Sequence, residues 1–404
     1  MASYKNSDLP PPIMVGTPPP PEQRVPKIDF DRPPWNRWAF HHMREILPTA
    51  AVRRSATPSA LPEAAGRLDD FTYPGVDGTQ TSIGQMLDDT YTDGFLVWKD
   101  GRILHESYHN GMGPSSRHLL QSVTKSVVSA AAGTMIGDGL IDPLAPVTFY
   151  LPELAATAWN GASLQHVLDM TSGVRFSEAY VERDSDIGIM DYASGWKPAP
   201  PGVDASGWPT SIWEQILSLK VAVAEHGARF EYRSIETDVL AHVMERVLGQ
   251  RLPQILSERL WQPLGAAEDG DITVDPSGYA LACGGLSASL RDMARFGLML
   301  FNNGMVEGRQ VVPASWCQDI RHGAHGLFDR ENYKNWPNGT YRNQFWVEDS
   351  QLGRHYCFGV FGQMVMVAPD TGTVAVKLSS WPDFVDPALY MKTMVGLRAI
   401  EAAF

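Results

Sequence analysis

Several things are scarce in this 404-residue chain, and each scarcity closes off a class of protein. Only three cysteines occur, Cys283, Cys317 and Cys357. An odd, sparse set cannot describe a disulfide framework and fits a reducing compartment. No run of about 18 apolar residues is present to span a bilayer, and the first residues show no basic stretch leading into an apolar one. A cytoplasmic protein without membrane attachment is therefore expected. Positive charge is also short: 33 Lys and Arg stand against 46 Asp and Glu, for a net charge of −13. Such a chain repels phosphate backbones and anionic lipid, so no nucleic-acid or membrane partner is expected. Familiar signatures are missing as well. There is no Gly-x-Ser-x-Gly elbow, no Cys-x-x-Cys, no Walker loop and no dinucleotide fingerprint.

What is present is globular. Apolar residues make up 44 % and charged residues 20 % of the chain, enough for a sizeable core. Residues 1–34 form a Pro-rich arm, with Pro10-Pro11-Pro12 and Pro18-Pro19-Pro20-Pro21, expected to lie extended on the body. Regular structure begins at Trp35–Leu47, and Thr81–Thr92 reads as a helix. Two apolar runs, Gly94–Lys99 and Arg102–Tyr108, flank Asp100-Gly101, a strong hairpin signal. Tyr356–Val367 and Val374–Ser380 flank a turn at 370–373, and a last helix is expected over Pro387–Ala402. Hairpins at both ends with helices between predict one antiparallel sheet assembled from both ends. The resulting domains are residues 35–124 with 285–404 as the sheet domain and 125–284 as an inserted all-helical domain.

Within that middle region, Ser163 starts a short helix that Gly173 ends. Thr237–Leu248 is strongly helical, and Ser289 caps a helix through Phe301. Residues 185–208 read as a long irregular segment that shapes a site.

The chemistry centres on Ser122-Val123-Thr124-Lys125, at the start of a helix running to about Asp138. Three apart on a helix, Ser122 and Lys125 share a face, and an amine beside a hydroxyl can activate it as a nucleophile. Amides at a helix start are unpaired and can stabilise an oxyanion. Tyr232, ahead of the next long helix, supplies a second proton carrier, its phenolate favoured by a neighbouring Lys⁺. Metal motifs are weak by comparison. His105-Glu106-Ser107-Tyr108-His109 matches His-Glu-x-x-His by letters but falls on a strand, where the two histidines do not share a helical face. His322 and His325 lack further ligands at useful spacing.

Ser122-Val123-Thr124-Lys125, Thr171-Ser172-Gly173, Tyr232-x-Ser234 and Gly284-Gly285-Leu286-Ser287 together resemble the class C β-lactamase-like serine hydrolases. That superfamily includes DD-peptidases, family VIII carboxylesterases and the nylon-oligomer (6-aminohexanoate-dimer) hydrolases. The last group matches furthest, from Asn36-Arg37-Trp38-Ala39-Phe40 to Ser379-Ser380-Trp381-Pro382-Asp383. The resemblance implies an α+β (α/β) fold of the β-lactamase/DD-peptidase type, with an antiparallel sheet flanked by helices. It implies Ser122 as acylated nucleophile, Lys125 and Tyr232 as proton relay, and the amides of Ser122 and Val360 as oxyanion hole. It further implies Tyr180 at the scissile amide and Asp191 at a terminal ammonium, with Trp196, Trp346 and Cys283 around the pocket. Neither metal nor organic cofactor is needed, the partner is a small amide or ester, and a homodimer is left open. Cys283 stands where the nylon-oligomer enzymes have asparagine and Phe361 where they have histidine. A short-chain esterase or β-lactam-directed enzyme of the same fold therefore remains an alternative.

Overall fold

The computed structural model describes residues 10–63, 66–328 and 333–404. Its frame is a seven-stranded, wholly antiparallel sheet. From edge to edge the strands run Thr340–Arg342, Phe345–Asp349, Arg354–Gly359, Gln363–Ala368, Thr373–Ser379, Thr92–Lys99 and Arg102–Tyr108. Both ends of the chain do meet in it: Thr92–Lys99 pairs with Thr373–Ser379, Val97 opposite Ala375. The Asp100-Gly101 signal is a two-residue hairpin, both residues at positive φ (47° and 91°), as the twist of paired strands favours.

Period-two alternation then sorts the side chains between two layers. Leu96, Val365, Val367, Val376 and Leu378 point to the larger core, under the helix Leu290–Phe301. Phe95, Val97, Met364, Met366 and Ala375 point to the other face, where Met394, Leu397 and Ile400 of the helix Pro387–Ala403 cover them.

A second, four-stranded sheet sets the position of Ser122. Its order is Thr49–Val52, Gly270–Thr273, Leu286–Ala288 and His118–Leu119. The two-residue strand His118–Leu119 is held by Leu119 N donating to Phe40 O and Leu120 N to Leu286 O, both at 2.8 Å. After residues 120–122 the chain enters the helix Val123–Gly137, whose interior is buried almost all round. Gly270–Thr273 shows that 125–284 is not all-helical as expected. Four residues are too short a run to stand out in sequence.

Other expectations shift for local reasons. Tyr356–Val367 is two strands, broken by a tight turn at Val360–Gly362 with Phe361 and Gly362 at φ 62° and 87°. A Cβ on Gly362 would stand 2.3 Å from the Trp381 ring. The helix begun by Ser163 stops at Leu168, with a capping box from Ser163 and His166, and both Met170, at φ 53°, and Gly173, at φ 71°, turn left-handed beyond it. Gly173 is needed because its Cβ would meet Ala224 O at 2.4 Å. Residues 185–208 are partly helical, Asp186–Ala193 being capped by Ser185. Trp35–Leu47 holds two short helices, Asn36–Ala39 and Met43–Ile46. The arm, whose residues 1–9 lie outside the described residues, packs on the body and ends in fully buried Phe30. Among the described residues no helix is long and apolar enough to cross a membrane.

The matching segments at 36–40 and 379–383 meet around one buried carboxylate. Asp93 Oδ1 accepts from Arg37 at 2.7 Å and Asn110 at 3.0 Å; Oδ2 accepts from Ser380 at 2.6 Å and lies 3.0 Å from His118 Nε2. Burial pushes its pKa up, but Arg37, His118 and His41 hold it well below the usual carboxylate range. His41, Asp93 and His118 place ligand atoms within 4.8 Å of one another. Arg37 already occupies that carboxylate and its charge opposes a cation, so the group works as a buried ion cluster. Asp93→Ala would strand Arg37 without its counter-charge and should cost about 3–5 kcal/mol of unfolding free energy in urea titration.

Candidate active site

Ser122 sits at the N-terminal boundary of the helix Val123–Gly137, after Gln121 at φ 49°. A glutamine in the left-handed region is a strained connection of the kind found where a side chain must be aimed. Lys125, only 1 % exposed, places Nζ 2.8 Å from Ser122 Oγ and 2.8 Å from Cys283 O. Its ammonium also stands over the Tyr232 ring, 5.1 Å from the centroid. Trp346 stacks on that ring, centroids 5.4 Å apart.

The turn after Arg354–Gly359 brings Val360 to the same place. Gly359 permits it, since a Cβ there would lie 2.6 Å from Leu120 O. Among the described residues neither the Ser122 nor the Val360 amide has an acceptor. Both residues line one cleft, whose free space, mouth included, is about 610 Å³.

Tyr180, Asp191, Trp196 and Cys283 line it too. Trp196 is fixed by donating Nε1–H to Thr273 Oγ1 at 2.9 Å. Trp346 is placed by its stacking on Tyr232, and the two rings lie together beside the cleft-lining residues Lys125 and Ser234. The Tyr232 expectation is revised in direction. Burial raises its phenol pKa, and Lys125 offsets this only in part. For Lys125 burial acts against the charge, but Tyr232, Cys283 and Glu178 outweigh it and hold the amine above its ordinary value. Burial and Asp238 push the Cys283 thiol well up, so it is no competing nucleophile.

Four residues of the site carried no readable signal. Glu178 accepts from Ser234 N and from Ser234 Oγ, fixing the start of the helix Ile235–Leu248. Asp31, from the arm, and Phe384 line the cleft, and Phe384 stacks on Tyr180 at 5.2 Å. Lys197 lies between two carboxylates, 2.6 Å from Asp31 Oδ2 and 3.0 Å from Asp191 Oδ2. Asp191 keeps 31 % of its side chain exposed toward solvent. The metal letters at 105–109 fall on the strand Arg102–Tyr108, where His105 accepts from Leu68 N and its Nε2 lies 2.8 Å from Ser107 Oγ. His322 Nδ1 is 2.7 Å from Ser350 O, and His325 Nδ1 accepts from Leu327 N.

A serine hydroxyl held by a buried amine, beside a phenol and two open amides, has the parts of a serine acyl-transfer site. Comparison with known proteins agrees: the Beta-lactamase family model matches residues 83–397, and the chain belongs to that family of serine hydrolases. It is 38 % identical over 362 residues to the 6-aminohexanoate-dimer hydrolase of Paenarthrobacter ureafaciens, covering 89 % of each chain. A solved Bacillus anthracis protein, assigned as a 6-aminohexanoate-dimer hydrolase, superposes with a TM-score of 0.85 at 28 % identity, covering 95 % of this chain and 98 % of that one. A family VIII carboxylesterase shares the fold, with a TM-score of 0.55 at 16 % identity over 76 % of this chain and 92 % of its own.

Replacing Lys197 by Met leaves Asp31 and Asp191 facing each other without their ammonium. Burial already holds the Asp191 carboxyl above its ordinary value against the pull of Lys197, and without that ammonium it rises further, so the lost stability grows as pH rises above the unfolded value and shrinks as pH falls. Denaturant titration should show a deficit of about 3 kcal/mol at pH 7, smaller at pH 5.

Proposed function

We infer that this hydrolase cleaves a linear amide resembling a 6-aminohexanoate oligomer through an acyl-enzyme on Ser122. The observation that carries the reading is Lys125 Nζ at 2.8 Å from Ser122 Oγ, inside a cleft that also holds the Val360 amide. Ser122 attacks the scissile carbonyl while its proton passes into the Lys125–Tyr232 pair. The two amides take the oxyanion, worth roughly 3–4 kcal/mol each by the one-donor precedent. The pair then returns the proton to the leaving amine, and water repeats the sequence to release the acid. Tyr180, stacked on Phe384, is placed to position the amide, and the exposed part of Asp191 to meet a cationic end group. Lys197 already shares Asp191, so the wall formed with Asp31 offers one net negative charge and not two. Three free, buried cysteines support a reducing, cytoplasmic setting.

A short-chain esterase is the second reading. Cys283 lines the cleft where the nylon-oligomer enzymes have asparagine, so a thiol stands there in place of an amide. Rates on a linear aminohexanoate dimer, p-nitrophenyl butyrate and nitrocefin separate the readings. The dimer should turn over and nitrocefin should be slowest; nitrocefin fastest by orders of magnitude would sink the linear-amide assignment. A fluorophosphonate should label the wild type and not Ser122→Ala.

Both proton carriers are held in their protonated forms, so the base form of the pair is a minority at neutral pH. kcat/KM should therefore climb with pH between about 6 and 8, the pair titrating as one unit. A profile that falls over that range would remove Lys125 and Tyr232 as the relay.

A further inference from the structure

The helix Ile235–Leu248 packs against the serine-bearing helix Val123–Gly137. One turn in from Ser234, and on the same face, it carries Asp238, 1 % exposed. Burying a carboxylate is costly unless it is bonded, and this one is only half satisfied. Its Oδ1 accepts the Ala282 N–H at 2.8 Å, while Oδ2 is buried near the Cys283 thiol without a well-formed hydrogen bond. The amide it holds belongs to the turn 281–285, and one residue further on the carbonyl of Cys283 is the acceptor that shares Lys125 Nζ with Ser122.

We propose that Asp238 is a positioning residue for the nucleophile: by pinning the Ala282 amide it fixes the Cys283 carbonyl, and through it the approach of Lys125 to Ser122. The turn has other supports, Leu281 N to Thr273 O and Gly285 N to Leu281 O, both at 2.9 Å. Losing Asp238 thus frees the backbone at Ala282 and Cys283 without dissolving the turn. Lys125, from the serine-bearing helix, is the cation that faces Asp238; Cys283 and Asp275, from the segment leading into the turn, are its other titratable neighbours. Burial and Asp275 raise the carboxyl, the Ala282 N–H, Cys283 and Lys125 pull it back, and it stands at about 7. The inference rests on Ser122 and Lys125 acting as nucleophile and partner.

The test uses the full chain, with fluorophosphonate labelling of Ser122 and hydrolysis of p-nitrophenyl butyrate as readouts. In Asp238→Ala, labelling rate and kcat should fall between about ten- and a hundredfold with KM within about twofold, as a displaced catalytic group demands. In Asp238→Asn the side-chain oxygen can still accept from Ala282, so the rate should return to within about threefold of wild type. Its missing negative charge should move the rising limb of the pH–rate profile to lower pH, because Lys125 gives up its proton more readily. Wild-type labelling by folded Asp238→Ala overturns the proposal. So does an Asp238→Asn enzyme as slow as Asp238→Ala, or one whose profile does not move. Should Asp238→Ala fail to fold, Asp238→Asn and its profile decide alone. A wild type unlabelled at Ser122 defeats the acyl-enzyme reading instead, which keeps the two failures apart.

Discussion

A charged amine without water is the constraint around which this molecule is arranged. Lys125 is 1 % exposed, and taking an ammonium out of water costs several kcal/mol unless every donor and the charge itself are answered. Ser122 Oγ and Cys283 O take two hydrogens, and the Tyr232 ring lies beneath. Glu178 and Asp238 are carboxyl neighbours of Lys125. These partners come from four separate stretches of chain, so satisfying one charge fixes the junction of the small sheet, the serine-bearing helix and the helix Ile235–Leu248. Structural need and the proposed chemistry coincide, because the hydrogen bond that helps bury Lys125 is the one that would ready Ser122.

The same logic recurs at Asp93. One buried carboxylate draws Arg37, Asn110, His118 and Ser380 together, tying the start of the body to the strand before Ser122 and to the end of the sheet. A carboxylate with four neighbours has one comfortable geometry, and the strand His118–Leu119 inherits it. The nucleophile is thus aimed by charge pairing on one side and by backbone closeness at Gly359 on the other.

What the sequence disclosed followed the range of the interactions. Ser122 and Lys125 could be paired because three residues on a helix is a local distance. Asp100-Gly101 and the caps at Ser163 and Ser289 were legible for the same reason, each acting over two to four residues. The resemblance extended this to Tyr232, Val360 and the fold as a whole. The unreadable part was long-range or energetic. Asp31 meets Lys197 across 166 residues and Glu178 meets Ser234 across 56, with no periodicity to announce either. The turn at Val360–Gly362 puts a phenylalanine at positive φ where asparagine or glycine would have signalled it. The direction of the Tyr232 shift depended on burial outweighing a neighbouring charge, a balance between terms that exists only once the chain is packed.

The clasp of Asp31 and Phe30 onto Lys197 and Trp196 has a consequence in time. Synthesis delivers the arm first, yet its partners emerge some 160 residues later, and Val360 and Phe384 later still. A nascent chain can form the helix behind Ser122 long before the cleft has its walls. The cleft is complete only once Phe384 has been made, so the order of translation sets when Ser122 gains its surroundings.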